Sequence, residues 1–187
     1  MARVAPPRIR TRLSSVTNSF VQAILPGFRP TQEEIEEALR QLGQTYDDRR
    51  CVYCGDRSTD FDHLIPLVRG RRPSGFLTEA RNLVPACGTC NQSKGGSDWR
   101  KWMLGTAKNS PAARGIPDIP QRIETLERFI QWGKCAERNV AGHVQPKLWE
   151  DYWAKLDQIE ALMDAAQSQA AIIKQQIEAG LSTNRTV

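Results

Sequence analysis

The sequence contains no apolar run that approaches the roughly 18 residues needed to cross a bilayer. Its first sixteen residues include basic side chains but lack the apolar stretch of a secretion signal. No internal repeat or low-complexity segment interrupts the remainder. These absences argue against a membrane-spanning, secreted or repeat protein, and the expected location is the cytoplasm.

Cysteine is scarce, with five residues among 187, but four of the five stand in two Cys-x-x-Cys pairs. The pairs are Cys51 with Cys54 and Cys87 with Cys90. In a reducing compartment, paired cysteines are more often metal ligands than disulfides. Four thiolates at this spacing predict a closed, tetrahedral structural zinc site. The 32 residues between Cys54 and Cys87 leave room for a β-hairpin whose two ends the zinc would hold together.

Positive charge is concentrated in the segment that holds these cysteines. Residues 49–114 carry twelve Lys or Arg and five Asp or Glu, a net charge of +7 in a chain of net charge +5. A bound polyanion would be drawn to such a segment, and its binding would weaken as salt is added. Solubility alone is the other explanation of the charge, but its position beside the cysteines favours nucleic acid.

Composition and periodicity divide the chain into three expected segments. Residues 1–48 read as an N-terminal arm and helix, residues 49–104 as the metal-binding core, and residues 105–187 as a C-terminal helical region. Thr31 and Glu34 form a capping box that predicts the start of a helix closed by Gly43.

Within the expected core, the pattern favours two strands followed by a short helix. After this core, the pattern predicts a short capped helix and two longer helices. In chain order, the predicted elements are strands over 61–68 and within 76–85, a helical turn from Cys87 to Lys94, a short helix capped by Ser97, and helices over 121–139 and 147–179.

The last predicted helix carries a regular apolar stripe whose spacing alternates between four and three residues. This heptad-like pattern is typical of a helix that either packs on its own domain or forms the seam of a dimer. The stripe consists of Tyr152, Leu156, Ile159, Met163, Ala166, Ala170, Ile173 and Ile177.

An Asp-His dipeptide lies between the two cysteine pairs, and an asparagine follows the last cysteine. His63 can act as a general base, because imidazole titrates near neutral pH. Asp62 and Asn91 offer the hard oxygen atoms that suit Mg²⁺. Adjacent side chains on a strand point to opposite faces, so a site that uses both Asp62 and His63 needs a bulge or a backbone contact that turns one of them.

The segments CVYCG, FDHLIPL and ARNLVPACGTCNQSKGG together resemble the HNH endonuclease family in its four-cysteine form. The resemblance covers about a quarter of the chain and implies an α+β protein with a ββα-metal nuclease core, flanked by N-terminal and C-terminal helices. It implies that His63 activates water and that Asp62 and Asn91 bind a catalytic Mg²⁺, for which Mn²⁺ can substitute. It also implies that Asn82 orients the base, and that cleavage leaves 5′-phosphate and 3′-hydroxyl ends.

Four basic residues are candidates for contacts with double-stranded DNA. Arg69, Arg71 and Arg72 lie on the expected hairpin turn, and Lys94 follows Asn91 by one helical turn. They can bind phosphates or, for the arginines, a guanine edge. Solvated basic side chains are the alternative for each.

The function expected from these features is that of a Mg²⁺-dependent DNA endonuclease with a structural zinc. Within that class, a restriction-type enzyme that acts as a homodimer is favoured. Nicking or packaging nucleases of the phage type and junction-resolving nucleases are the enzyme alternatives. A non-catalytic zinc module that binds nucleic acid is the alternative outside enzymes, but it gives no reason for Asp62, His63 and Asn91 to occur together.

Overall fold

The computed structural model describes residues 8–183, and the chain is a mixture of α-helices and short β-strands. The helices are α1 (Leu13–Ile24), α2 (Gln32–Gln41), α3 (Gly88–Lys94), α4 (Trp99–Met103), α5 (Ile119–Gly133) and α6 (Pro146–Thr183). The strands are β1 (Asp60–His63), β2 (Val68–Arg69), β3 (Arg72–Pro73) and β4 (Leu83–Ala86).

Contacts divide the chain into two compact units. The boundaries between these units differ from the predicted segment boundaries at residues 48 and 104. One unit comprises residues 24–140 and contains the four strands and α2 to α5. The other comprises, within the described residues, 8–23 and 141–183, because α1 packs against α6. The three segments expected from the sequence remain a prediction about how the chain is organised.

The expected capping box begins the helix α2. The Thr31 side chain accepts a hydrogen bond from the Glu34 backbone, and the Glu34 carboxylate accepts one from the Thr31 backbone at 2.8 Å. These bonds satisfy two of the N–H groups that a helix end leaves without partners. Gly43 follows the helix with a φ of 69°, a left-handed conformation that glycine adopts without steric cost.

The core of the strand-containing unit is a ββα arrangement. β1 and β4 pair antiparallel, with Asp62 opposite Val84 and His63 opposite Leu83, and α3 begins directly after β4. The strand predicted over 61–68 ends at His63 instead, because the chain turns there into a loop that hydrogen-bonds to Asn82. The order strand, strand, helix confirms the expected fold class.

A second, smaller hairpin lies between the two main strands. β2 and β3 pair antiparallel through a two-residue turn in which Gly70 has a φ of 57° and Arg71 a φ of 65°. Two successive positive φ angles are the mark of a tight hairpin turn, and Arg71 adopts one without the freedom of a glycine. The expected basic turn is therefore present, although as a separate hairpin.

The boundaries of two later helices differ from the prediction. Asp98, not Ser97, caps α4, because the Asp98 carboxylate accepts a hydrogen bond from the Lys101 backbone. The helix α5 stops at Gly133, before the predicted end at residue 139, where Lys134 turns left-handed with a φ of 46°. The end of α5 approaches the backbone of Arg81 so closely that a Cβ atom at Gly133 would lie 2.9 Å from the Arg81 carbonyl oxygen. This close approach requires a glycine at position 133.

In the other unit, α1 lies against the first half of α6. The rings of Phe20 and Tyr152 are 5.1 Å apart, and the Tyr152 hydroxyl donates to the Phe20 carbonyl at 2.9 Å. Val21, Trp153 and Leu156 are buried in this contact layer. Part of the apolar stripe is thus covered within the unit.

The second half of α6 exposes its apolar side chains. Ile173 is 56% exposed and Ile177 is 55% exposed. The helix runs through Gly180 rather than ending before it, so the predicted end at residue 179 is wrong by four residues. None of the helices described in residues 8–183 combines the length and apolarity required to span a bilayer.

Candidate functional site

The four paired cysteines converge into one buried cluster. The Sγ atoms of Cys51, Cys54, Cys87 and Cys90 all lie within 4.8 Å of one another, and those of Cys54 and Cys87 are 3.7 Å apart. A zinc tetrahedron with Zn–S bonds of about 2.3 Å has edges of about 3.8 Å. The thiol set therefore fits a structural zinc, as the sequence predicts.

Local backbone structure places each cysteine pair. The first pair sits on a turn in which the Gly55 backbone donates to the Cys51 carbonyl at 2.8 Å, and Gly55 has a φ of 83°. In the second pair, Cys87 caps α3 and Cys90 lies in its first turn. The Val52 backbone also donates to the Pro85 carbonyl, so the two knuckles are joined by the backbone as well.

A cationic side chain lies beside this cluster. Arg114 approaches the Cys90 sulfur at 3.5 Å and the Asp56 carboxylate at 3.2 Å. A four-thiolate zinc centre carries net negative charge, which a guanidinium at this distance offsets. Hydrogen bonds among the thiols lower the pKa of Cys51 and raise the pKa of Cys90.

Asp62 is buried on β1 and is held by two side chains. The Tyr53 hydroxyl donates to Asp62 Oδ2 at 2.7 Å, and the Lys94 ammonium lies 2.9 Å from the same oxygen. Burial raises the pKa of Asp62, while the charge of Lys94 and the Tyr53 hydrogen bond oppose that rise. Since Tyr53 lies between Cys51 and Cys54, the turn that carries the first cysteine pair also orients this carboxylate.

Lys94, a candidate for contacts with DNA, is buried. Its side chain is 0% exposed, and its ammonium also donates to the His63 carbonyl at 2.8 Å. The ammonium is thus held in the core by the Asp62 carboxylate, and a contact between Lys94 and a phosphate stays a prediction.

His63 follows Asp62 on the strand without a bulge. The pairing of β1 with β4 continues regularly through both residues, so their side chains leave the strand on opposite faces. The His63 Nε2 atom lies 3.0 Å from the Thr78 hydroxyl. Burial, followed by the charge of Lys94, lowers the pKa of His63 to about 4. The ring is therefore neutral at pH 7, which is the form that accepts a proton.

Asn82 connects the loop after His63 to the start of β4. Its Oδ1 accepts a hydrogen bond from the Ile65 backbone at 2.8 Å, and its Nδ2 donates to the carbonyls of Ile65 at 3.0 Å and Leu77 at 3.3 Å. Asn82 is 1% exposed, so these bonds are shielded from water. The amide thus fixes both the loop that follows the histidine and the loop that carries Thr78.

Asn91 lies on α3, half-buried, three residues before Lys94. Residues three apart share one face of a helix, and Lys94 on this face reaches Asp62 on β1. Asn91 therefore lies on the face of α3 from which Lys94 reaches Asp62. An aspartate and an asparagine on facing elements are a donor set that suits Mg²⁺, which takes few protein ligands and keeps several waters.

The three arginines of the β2–β3 hairpin differ in exposure. The Arg69 side chain is 65% exposed and lies 3.8 Å from Glu137. Arg71 occupies the turn, and Arg72 donates to the Arg71 carbonyl at 3.1 Å; both are half-buried. Arg69 is therefore the one of the three whose side chain is mostly in solvent.

Sequence reasoning missed three residues of this site: Tyr53, Thr78 and Arg114. Tyr53 carries a local signal, since it lies inside the first cysteine pair. Thr78 and Arg114 carry none, because loops that the sequence leaves without a regular pattern bring them to His63 and to the thiols.

Comparison with known families agrees with this geometry. The family model described as HNH endonuclease matches residues 51–97, which begin at the first cysteine and end after α3. This segment is an HNH endonuclease domain. The HNH domain contains both cysteine pairs, the Asp-His dipeptide and both asparagines.

One curated relative is similar to part of this chain. The CRISPR-associated endonuclease Cas9 of Corynebacterium diphtheriae is 36% identical to this chain over 87 residues. The match covers 44% of this chain but 7% of that relative. No solved structure matches the chain significantly. The similarity therefore concerns less than half of this chain, and the chain spans only a small part of the length of Cas9.

Proposed function

We propose that this protein is a Mg²⁺-dependent DNA endonuclease whose HNH domain is stabilised by a structural zinc. The observation that carries the proposal is the HNH family match over residues 51–97, a segment in which the four thiols converge and Asn82 fixes the loop that follows His63. The products are expected to have 5′-phosphate and 3′-hydroxyl ends.

In this proposal, His63 is the general base. The Thr78 hydroxyl engages Nε2, which leaves Nδ1 for the attacking water. Asn82 keeps the loop beyond the histidine in place and so fixes the ring's approach to the water. Tyr53 holds the Asp62 carboxylate at its position on β1.

Asp62 and Asn91 are the residues proposed to hold the catalytic cation, with Mn²⁺ able to replace Mg²⁺. When bound, the cation would neutralise the negative charge that develops on the scissile phosphate and the leaving oxygen. The two side chains fit this role because they offer hard oxygens on facing elements.

Double-stranded DNA is the proposed substrate. The HNH domain lies within residues 49–114, which carry a net charge of +7. The phosphate backbone of DNA would therefore be attracted to this segment. Arg69, with its exposed side chain, is the leading candidate for a phosphate contact, and the half-buried Arg71 and Arg72 are candidates to fix the turn that presents it.

The proposal is tested with supercoiled plasmid and the purified full chain. Mg²⁺ or Mn²⁺ should convert the plasmid to nicked or linear forms, whereas EDTA should stop the conversion. Ligase should reseal the ends without prior kinase treatment, because the 5′-phosphate remains on the product. Plasmid that stays supercoiled with either cation, at protein concentrations that retard its migration, would leave a DNA-binding zinc module as the better description.

We further propose that the enzyme is a restriction-type homodimer joined through α6. The apolar stripe continues at heptad spacing beyond the part that α1 covers, and Ile173 and Ile177 are more than half exposed there. One active site cuts one strand, so two copies would cut both. A monomeric nuclease of the nicking, packaging or junction-resolving kind is the alternative.

The dimer proposal predicts a matched pair of outcomes. Ile173→Glu combined with Ile177→Glu should give a monomer in light scattering and convert plasmid to the nicked form, because buried charges oppose the helix seam. Ile172→Glu should remain a dimer, since Ile172 is equally exposed but lies off the stripe. A wild-type chain that is monomeric at micromolar concentration would contradict the proposal.

A further inference from the structure

Lys94 is buried more completely than lysine usually is in proteins, and each of its donors has a partner. Its side chain is 0% exposed, and its ammonium lies 2.9 Å from Asp62 Oδ2, 2.8 Å from the His63 carbonyl and 3.4 Å from the Gly95 carbonyl. An ammonium has three N–H donors, so these three oxygens satisfy it without water. The positive charge of Lys94 is therefore a fixed part of the site.

The position of this charge coincides with the proposed cation site. Asp62 is the carboxylate assigned to the cation, and its Oδ2 already receives both Lys94 and the Tyr53 hydroxyl. Asn91 lies on the same face of α3 as Lys94, three residues earlier. A divalent cation between Asp62 and Asn91 would thus lie within a few ångströms of the ammonium.

We propose that Lys94 is a positioning residue that competes with the divalent cation for Asp62 and so sets the cation affinity of the HNH domain. The inference rests on the assignment of Asp62 as a cation ligand. Two positive charges that share one carboxylate repel each other, and in a buried site that repulsion is only partly screened. The cation must therefore draw Asp62 away from the ammonium or bind beside it with reduced affinity.

The site offers Lys94 a second arrangement. The carbonyls of His63 and Gly95 remain as acceptors when Asp62 turns toward a cation, so the ammonium keeps two of its three partners. One of these carbonyls belongs to the general base itself. Cation binding at Asp62 and the backbone of His63 are therefore linked through a single side chain.

The inference is tested by measuring Mn²⁺ affinity by electron paramagnetic resonance on the zinc-loaded full chain, without DNA, at pH 8. Lys94→Met and Lys94→Gln should each bind Mn²⁺ roughly tenfold more tightly than the wild type, because both remove the competing charge. The glutamine variant keeps a hydrogen-bond donor for the two carbonyls, so it remains informative if the methionine variant does not fold. Zinc content and circular dichroism confirm folding.

Lys101→Met is the matched control, since Lys101 is an exposed lysine on the neighbouring helix α4. Its Mn²⁺ affinity should equal that of the wild type. Unchanged or weaker Mn²⁺ binding by a folded Lys94 variant would overturn this inference and leave the proposed nuclease intact. If Asp62→Asn in the wild-type background leaves Mn²⁺ binding unaltered, the cation assignment fails and the inference falls with it.

Discussion

Replacement of Cys54 by serine should release the zinc and unfold the HNH domain. The two main strands of that domain are four residues each, and such a hairpin is only marginally stable by itself. The free energy of binding zinc to four thiolates, about 10–16 kcal/mol, is folding free energy in small zinc domains. It is comparable with the roughly 5–15 kcal/mol by which a whole domain is usually stable.

The zinc release is measured by a colorimetric chelator, and unfolding by near-ultraviolet circular dichroism. Trp102 packs edge-on against Tyr53 with ring centroids 5.1 Å apart, so its signal reports on the core beside the first knuckle. The matched control is Cys135→Ser, since Cys135 lies outside the thiol cluster. A Cys54→Ser protein that holds no zinc but keeps the native near-ultraviolet spectrum would contradict the structural role of the metal.

The loss of zinc should also displace Asp62, one of the groups proposed to take part in the reaction. Tyr53 lies on the turn between Cys51 and Cys54, and its hydroxyl holds Asp62. In the proposed mechanism the zinc takes no part in the reaction. Its ligands Cys51 and Cys54 instead fix the turn that carries Tyr53, and Tyr53 holds the proposed cation ligand Asp62. This coupling explains why a closed metal site and an acidic residue are built into one short segment.

The sequence predicted those parts of the fold that depend on local chemistry. The cysteine spacing predicted the thiol cluster, and Thr31 with Glu34 predicted the helix start, because a zinc knuckle and a capping box each involve residues close in the chain. The helix after β4 was predicted for the same reason.

The parts that it could not predict depend on contacts between distant segments. The end of β1 at His63 is set by hydrogen bonds from Asn82, which lies nineteen residues further on. The direction of Lys94 is set by a carboxylate on another element, since helical spacing alone allows either the surface or the core. Periodicity reports which face of an element is apolar, but it does not report which buried charge a lysine will meet.

Replacement of His63 by alanine should lower the rate of plasmid cleavage by roughly 10²–10⁴-fold, the usual contribution of a positioned general base. The protein should still fold and still bind DNA, because the thiol cluster, Asn82 and the basic hairpin do not depend on the imidazole. The neutral ring expected from burial is what makes this histidine a proton acceptor, with Thr78 on one nitrogen and the other left for water.

The chain offers an internal control for this prediction, since it has two histidines. His143 is exposed and belongs to the other unit, so His143→Ala should cleave at the wild-type rate. Rates are measured under single-turnover conditions, with DNA retardation and zinc content determined for both variants. A His63→Ala protein that cleaves as fast as His143→Ala would remove His63 from the mechanism. A His63→Ala protein that loses zinc would instead show that the histidine serves the fold, because a residue that acts only as a base leaves the metal-stapled core unchanged.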